Sequence, residues 1–532
     1  MERSMEKKSN YYFLILLLLV SLLYGYNEIF FKSPSYHHLW RQSDCLSITM
    51  NYYKENLNFF TPAIHWVGDK DGRTISEFPI IYYTVAQLWK IFGHHEFIFR
   101  LVNILIVFAG LYCLFRLARE LLSDIFWALF IPFFLFSSPI LAYYTNNFLA
   151  DAPALGLLLI GCYFFWKAFT SLKKKWFYLA LGLFLLAGLI KISSLILFLS
   201  LFILHLYLIL FRRNEKTWLN RISRLLPYLA VMALIFAWYR YAAYYNKHNL
   251  AGIFLQGLLP IWTLDAVTMK NLWTTYWKDM IPAFFPLAGF YLDLLIFICL
   301  FFFYKHVNRF FFYLNLLVFL GCISLLILFY QALTIHDYYS TNSLIFIPLP
   351  LLAGLDILRR KYPWLLKNLV LKIIAAVGLL FLLYTGAVTN RMKYNTRDRL
   401  VKTNFIVNKH EIEEMEKFND WFDSRFFALH TITPYLRQLG IQRTDRVFSI
   451  PDNSINITLY MMDQKGLDDF FCPEIPYGQK MHLVKALGCK YIIINNTYIC
   501  NDPGLAPYLT HQIGIYQNVN IYKLDSIIKP SL

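Results

Sequence analysis

Apolar stretches of about 17–22 residues, the length that crosses a bilayer as helix, recur through the first 390 or so residues of this 532-residue chain. They fall near 11–31, 97–117, 125–142, 150–167, 176–190, 192–211, 226–245, 283–304, 310–331, 341–358 and 371–389. Eleven such runs leave few folds open, because backbone polar groups in hydrocarbon must be satisfied within the segment, as a helix does. Lys191 interrupts the 176–211 pair, so that pair is the least regular of the set. The first run follows Lys7 and Lys8 without a small-residue cleavage site, which predicts a retained anchor rather than a removed signal peptide. Only 16% of residues are charged and 58% are hydrophobic, against roughly 25% charged in soluble domains. A wholly soluble chain is therefore excluded, and an aromatic content of 19% excludes disorder as well.

The formal net charge of +17 has two readings, a nucleic-acid surface or a record of membrane topology. Eleven alternating spans decide between them. With the amino terminus inside, the cytoplasmic segments hold 21 basic residues, among them Lys173–Lys175, Arg212, Arg213, Lys216, Arg221 and Arg359–Lys361, against six acidic ones. The rest of the chain before residue 391 holds 12 of each, and residues 391–532 hold 17 basic and 15 acidic. The basic excess thus marks cytoplasmic loops, predicts an outer carboxyl terminus, and leaves no support for nucleic-acid binding.

The outer segments differ in size. Residues 32–96 form a long first loop and 246–282 a second, aromatic one. Within the first loop the apolar run 79–92 is too short to span and predicts a helix lying in the interface. Residues 391–532 contain no spanning run. Helical patterns at Lys409–Ser424, Tyr435–Leu439 and Gln479–Leu487, with β-rich runs at Arg446–Ile450, Lys490–Asn495 and Asn520–Leu524, predict a small extracytoplasmic α/β domain. The expected division is a transmembrane domain over 1–390 and this domain over 391–532. It carries no phosphate loop or GxGxxG. The eight cysteines show no metal-ligand spacing, and a Cys472–Cys489 or Cys489–Cys500 bridge stays open.

Ionisable residues concentrate at the predicted outer ends of the spans. On a helix, His37, Trp40, Arg41 and Asp44 share a face, and a guanidinium beside Asp44 would keep its carboxylate ionised, as a general base requires. A surface ion pair reads equally from that spacing. Asp151 precedes Ala-Pro at the start of a span, where it is either an N-cap or a carboxylate facing a functional cavity. Lys191 is either a snorkelling lysine or a cation awaiting an anionic group. His336-Asp337-Tyr338-Tyr339-Ser340, Glu77, His65 and Arg100 complete the outer polar set. A transporter would place such groups near the midplane in broken helices; their collection on one side suits an outward-facing active site.

Trp40-Arg41-Gln42-Ser43-Asp44, Pro62, Gly72, Glu77-Phe78-Pro79, Tyr82-Tyr83, Phe92-Gly93, Glu96 and Arg100 resemble the first-loop pattern of bacterial glycosyltransferase family 39-like proteins. These are relatives of the protein O-mannosyltransferases and of the lipid A aminoarabinose transferase. Asp151-Ala152-Pro153, Gly188–Lys191 and His336–Ser340 add weaker likeness, and the resemblance covers roughly 1–390. It implies a GT-C fold in a bacterial inner membrane and a polyprenyl-phosphate-linked sugar donor. It also implies inverting transfer, at the outer face, to a lipid, glycan or protein acceptor. By that resemblance Asp44 is the base, with Asp151 a second acidic group. Arg41, Arg100 and Lys191 are candidates to meet the phosphate, and Glu77, His336, Tyr338 and Tyr339 line the cavity. No metal motif is visible, and a divalent cation near the donor phosphate stays open. The lone Asp44, followed by Cys45, departs from the Asp-Glu pair of the eukaryotic mannosyltransferases. The alternative reading is a flippase or transporter of lipid-linked glycans.

Overall fold

The structure, a computed structural model, describes residues 2–211, 223–254 and 257–524. The eleven apolar runs fall on helices where described, but 125–142 and 283–304 are each broken within the run. Seven helices are long and apolar enough to cross a bilayer among the described residues, or nine when two bent pairs each count as one span. Arg212, Arg213, Lys216 and Arg221 of the expected basic loop lie outside the described residues. The chain is a polytopic, largely helical protein with a small C-terminal sheet.

Two compact units divide the chain, and not by a single cut near residue 390. The first comprises Met1–Lys32, Glu96–Arg240 and Gly257–Asn408; the second comprises Ser33–His95, Tyr241–Gln256 and Lys409–Leu532. The first loop and the C-terminal segment thus belong to one compact unit.

In the first unit the helices Phe97–Leu122, Asp151–Ser171 and Lys174–Ile190 pack side by side. Gly110 and Gly156 permit their close approach, since a Cβ on Gly110 would lie 2.7 Å from the Gly156 carbonyl oxygen. The pair Ile125–Phe136 and Pro139–Thr145 bends by 80° at Ser137 and Ser138. Ser138 caps the second helix by accepting from Leu141 N, and proline, which needs no N–H, opens it. The second bent pair, Ala266–Phe284 and Leu287–Phe302, breaks by 93° at Phe285-Pro286.

In the second unit a five-stranded sheet has the order β2-β1-β3-β5-β4, from β1 (Val447–Ile450), β2 (Gly466–Asp468), β3 (Tyr491–Ile494), β4 (Gln512–Tyr516) and β5 (Val519–Lys523). β1 pairs in parallel with β2 and β3, while β5 runs antiparallel to β3 and β4. The three expected strands are β1, β3 and β5; β2 is three residues long and β4 carries two exposed positions, too weak a pattern to read. The first loop joins this sheet at its β2 edge, where Trp66 pairs in parallel with Gly466. The run expected to lie in the interface is the 13-residue helix Ile80–Phe92. All eight cysteines are free thiols, so neither candidate disulfide forms.

Candidate active site

The helix Leu39–Glu55 carries Arg41 and Asp44. It starts after His38, which has a left-handed backbone (φ 53°), as does Tyr36. His37 therefore lies outside the helix and does not share the helical face expected of it. Trp40 is 41% exposed, whereas Asp44 is 2% exposed.

Asp44 is held from two sides. Asn456 Nδ2 donates to Asp44 Oδ1 at 2.9 Å, and Arg41 Nη1 stands 3.8 Å from Oδ2. Arg41 is shared: its Nη2 pairs with Glu77 Oε2 at 2.5 Å, and its guanidinium lies 5.4 Å from the Phe254 ring centre. Tyr82 Oη donates to the other Glu77 oxygen at 2.6 Å. The sequence suggests that Arg41 alone keeps Asp44 fully ionised, but burial outweighs it. Burial pushes the Asp44 carboxyl up to about 7; Arg41 and the Asn456 hydrogen bond pull it down, and Glu77 and Asp452 add to the rise. A buried carboxylate with its midpoint near neutrality is stripped of water and able to take a proton.

His65, also in this unit, is fully buried and hydrogen-bonded to Ser47 and Asp463. Burial lowers its pKa to about 4, so at neutral pH the ring is uncharged. Arg443 reaches Glu55, Asn51 and Asp463, tying the C-terminal segment to the Leu39–Glu55 helix. His65 and Arg443 thus serve the architecture beneath Asp44.

The first unit holds a different set. Asp151 is the first residue of the helix Asp151–Ser171, whose N-cap is Ala150. Lys191 Nζ pairs with Asp151 Oδ2 at 3.1 Å. Lys191 sits in the extended break between the helix Lys174–Ile190 and the 3-10 turn Ile192–Ser194, with Nζ 5.9 Å from the ring centres of both Tyr338 and Tyr339. The lysine and aspartate that the sequence presents separately are one ion pair, its carboxylate fully buried, lined by two tyrosines. The His336 ring is 5.2 Å from Tyr338 and 5.6 Å from Tyr339. Beside them, Asp337 accepts from Tyr144 Oη and pairs with Lys393 Nζ at 3.4 Å. Lys393 stacks 4.8 Å from the Tyr143 ring centre.

Arg100 belongs to the first unit. It is fully buried, and its guanidinium donates to the backbone oxygens of Asn146 and, at 2.9 Å, Lys32. It also lies 4.1 Å from the Phe148 ring centre. Its Nη1 also donates to Tyr394 Oη at 3.4 Å, so the guanidinium holds the segment 146–148 through both backbone and side-chain partners. Asn456, Tyr144 and Lys393 are not legible in the sequence, because each reaches its partner across a long stretch of chain and no local spacing marks it; Tyr82, five residues from Glu77, lies within the first-loop pattern.

Comparison with known proteins follows this geometry. Residues 76–240, about a third of the chain, match the family model described as dolichyl-phosphate-mannose-protein mannosyltransferase. The crystal structure of ArnT from Cupriavidus metallidurans in the apo state aligns with a TM-score of 0.58 and 11% identity, over 96% of this chain and 97% of that one. The same protein bound to undecaprenyl phosphate aligns with a TM-score of 0.54 and 12% identity, over the same shares. No curated protein matches in sequence. The family match and these alignments bear out the resemblance seen in the first loop and the GT-C-like fold it implies.

Proposed function

We propose that this chain is an integral-membrane glycosyltransferase that moves a sugar from a polyprenyl-phosphate-linked donor to a hydroxyl-bearing acceptor, with inversion, at the extracytoplasmic face. The observation that carries this reading is Asp44: a buried carboxylate, bracketed by Arg41 and Asn456, with its proton midpoint raised to about 7. The match to a mannosyltransferase family over 76–240, which includes Glu77, and the alignment with a protein that binds undecaprenyl phosphate support it.

In this reading Asp44 removes the acceptor hydroxyl proton as the oxygen attacks the anomeric carbon. The new C–O bond forms on the face opposite the breaking bond to phosphate, and the polyprenyl phosphate departs with the electron pair. Arg41 orients Asp44 and is itself fixed by Glu77, which Tyr82 secures. In the first unit, the partly buried Lys191 and the buried Lys393 are cations suited to an anionic headgroup, paired with Asp151 and Asp337 respectively. Positive charge aimed at a developing phosphate is worth a few kcal/mol of barrier. Tyr338, Tyr339 and His336 supply an amphipathic lining for a sugar or a lipid neck.

The test is transfer by reconstituted protein given polyprenyl-phosphate sugars, with Asp44→Asn beside the wild type. The expected result is loss of new glycosidic bonds by at least two orders of magnitude in the variant. Full retained transfer would remove Asp44 from the mechanism.

A further inference from the structure

Resting on the reading of Asp44 as the base, we propose that Asn456 is its positioning residue, a side chain from the C-terminal segment that aims one carboxylate oxygen and leaves the other to accept the proton. Asn456 is fully buried. Its Nδ2 donates to Asp44 Oδ1 at 2.9 Å, while its Oδ1 accepts from Trp66 N at 3.1 Å and Ser47 Oγ at 3.2 Å. The Trp66 amide can only donate, so a flipped Asn456 amide would set N–H against N–H. The amide therefore has one orientation, and with it Asp44 Oδ1 is occupied. Oδ2, facing Arg41 at 3.8 Å, is the oxygen left for the proton.

The turn that presents Asn456 is itself fixed. Asp452 accepts from Ser454 N and Thr458 N, both at 2.8 Å, and Ser454 Oγ accepts from Ile457 N at 2.9 Å. Asn456 stands where this turn enters the short helix Ile457–Met461, which packs on Leu39–Glu55. The charged groups acting on Asp44 are Arg41 on its own helix, Glu77 from the segment before Ile80–Phe92, and Asp452 from the turn after β1. Arg41 favours the charged carboxylate, whereas Glu77 and Asp452 oppose it. A hydrogen bond donated to the charged form favours ionisation, so losing the Asn456 donor moves the Asp44 midpoint upward. This assigns a role in the chemistry to a C-terminal residue 412 positions away from Asp44.

The experiment uses the full chain with Asn456→Asp and Asn456→Ala. Asn456→Asp keeps an accepting oxygen for Trp66 and Ser47 but cannot donate when ionised. Two readouts are taken: the pH profile of transfer, and the pH dependence of carbodiimide labelling at Asp44, followed by peptide mass spectrometry. The labelling reports the protonated carboxyl whatever the reaction. The expected result is an acidic limb and a labelling midpoint about one pH unit higher in both variants, hence roughly tenfold slower transfer at pH 6 and little change at pH 9. If Asn456→Ala does not fold, as judged by its melting curve, Asn456→Asp alone decides. An unmoved labelling midpoint in a folded variant overturns the proposal, even where Asp44→Asn abolishes transfer and the functional reading stands. A shifted midpoint in a protein that forms no glycosidic bond sinks the functional reading and upholds the positioning role.

Discussion

The Lys191–Asp151 pair offers a worked test of the first unit. Asp151 is fully buried and Lys191 Nζ lies 3.1 Å from its Oδ2, with the lysine side chain 11% exposed. Lys191→Met keeps the length of the side chain and removes its charge, leaving a buried carboxylate without its cation. Removing one partner of a buried pair costs about 3–5 kcal/mol, whereas replacing both partners by neutral groups of similar volume is often neutral or stabilising. The two Lys191–tyrosine contacts at 5.9 Å add about 0.5–1 kcal/mol each to the loss. Asp151→Asn with Lys191→Met should therefore recover most of what Lys191→Met alone loses, a coupling of at least about 2 kcal/mol. The assay is a double-mutant cycle of unfolding free energies in detergent micelles, followed by tryptophan fluorescence. A double variant as unstable as the sum of the singles would refute the pairing as the organising contact. If the pair instead serves the chemistry, the recovered double variant should still lose affinity for the lipid-linked donor.

Other expectations follow from particular contacts. Because the Asp44 midpoint is raised from the ordinary 3.8 to about 7, transfer should fall as pH drops through about 7. By the same linkage, the folded state binds this proton more tightly than the unfolded chain, so ionising Asp44 destabilises the fold as pH rises from about 4 to 7. Asp44→Asn should thus melt higher than wild type at pH 8, by up to about 4 kcal/mol, with no gain at pH 4; equal melting at both would contradict the raised midpoint. Gly110→Ala should cost about 1–3 kcal/mol in the same unfolding assay, since its new Cβ meets the Gly156 carbonyl oxygen at 2.7 Å. Tyr144→Phe removes one of two donors to buried Asp337, Lys393 being the other, and should cost about 1–3 kcal/mol; an unchanged melting curve would show that bond to be dispensable.

What the sequence discloses is what repeats locally. Apolar runs of span length mark the helices because the bilayer demands length, and the runs fall on helices, two of them sharply broken. The motif around Arg41 and Asp44 is legible because both residues ride on one helix. Contacts between distant segments are not written in any local period. Asn456 reaches Asp44, and Lys393 reaches Asp337, through turns whose geometry emerges only when the unit folds. The partition of the chain was hidden for the same reason. Composition changes at residue 391, yet the first loop shares a compact unit with the C-terminal segment through the Trp66–Gly466 bridge and the Arg443 ion pairs.

The most direct test of the central claim is chemical. Purified protein in liposomes is supplied with a polyprenyl-phosphate sugar of known anomeric configuration and a mixture of lipid, glycan and peptide acceptors. The account predicts free polyprenyl phosphate together with a product whose glycosidic bond has the opposite anomeric configuration, resolved by mass spectrometry and NMR. Sugar that only changes leaflet, with its bond to phosphate intact, would contradict it and leave a carrier of lipid-linked sugars in its place.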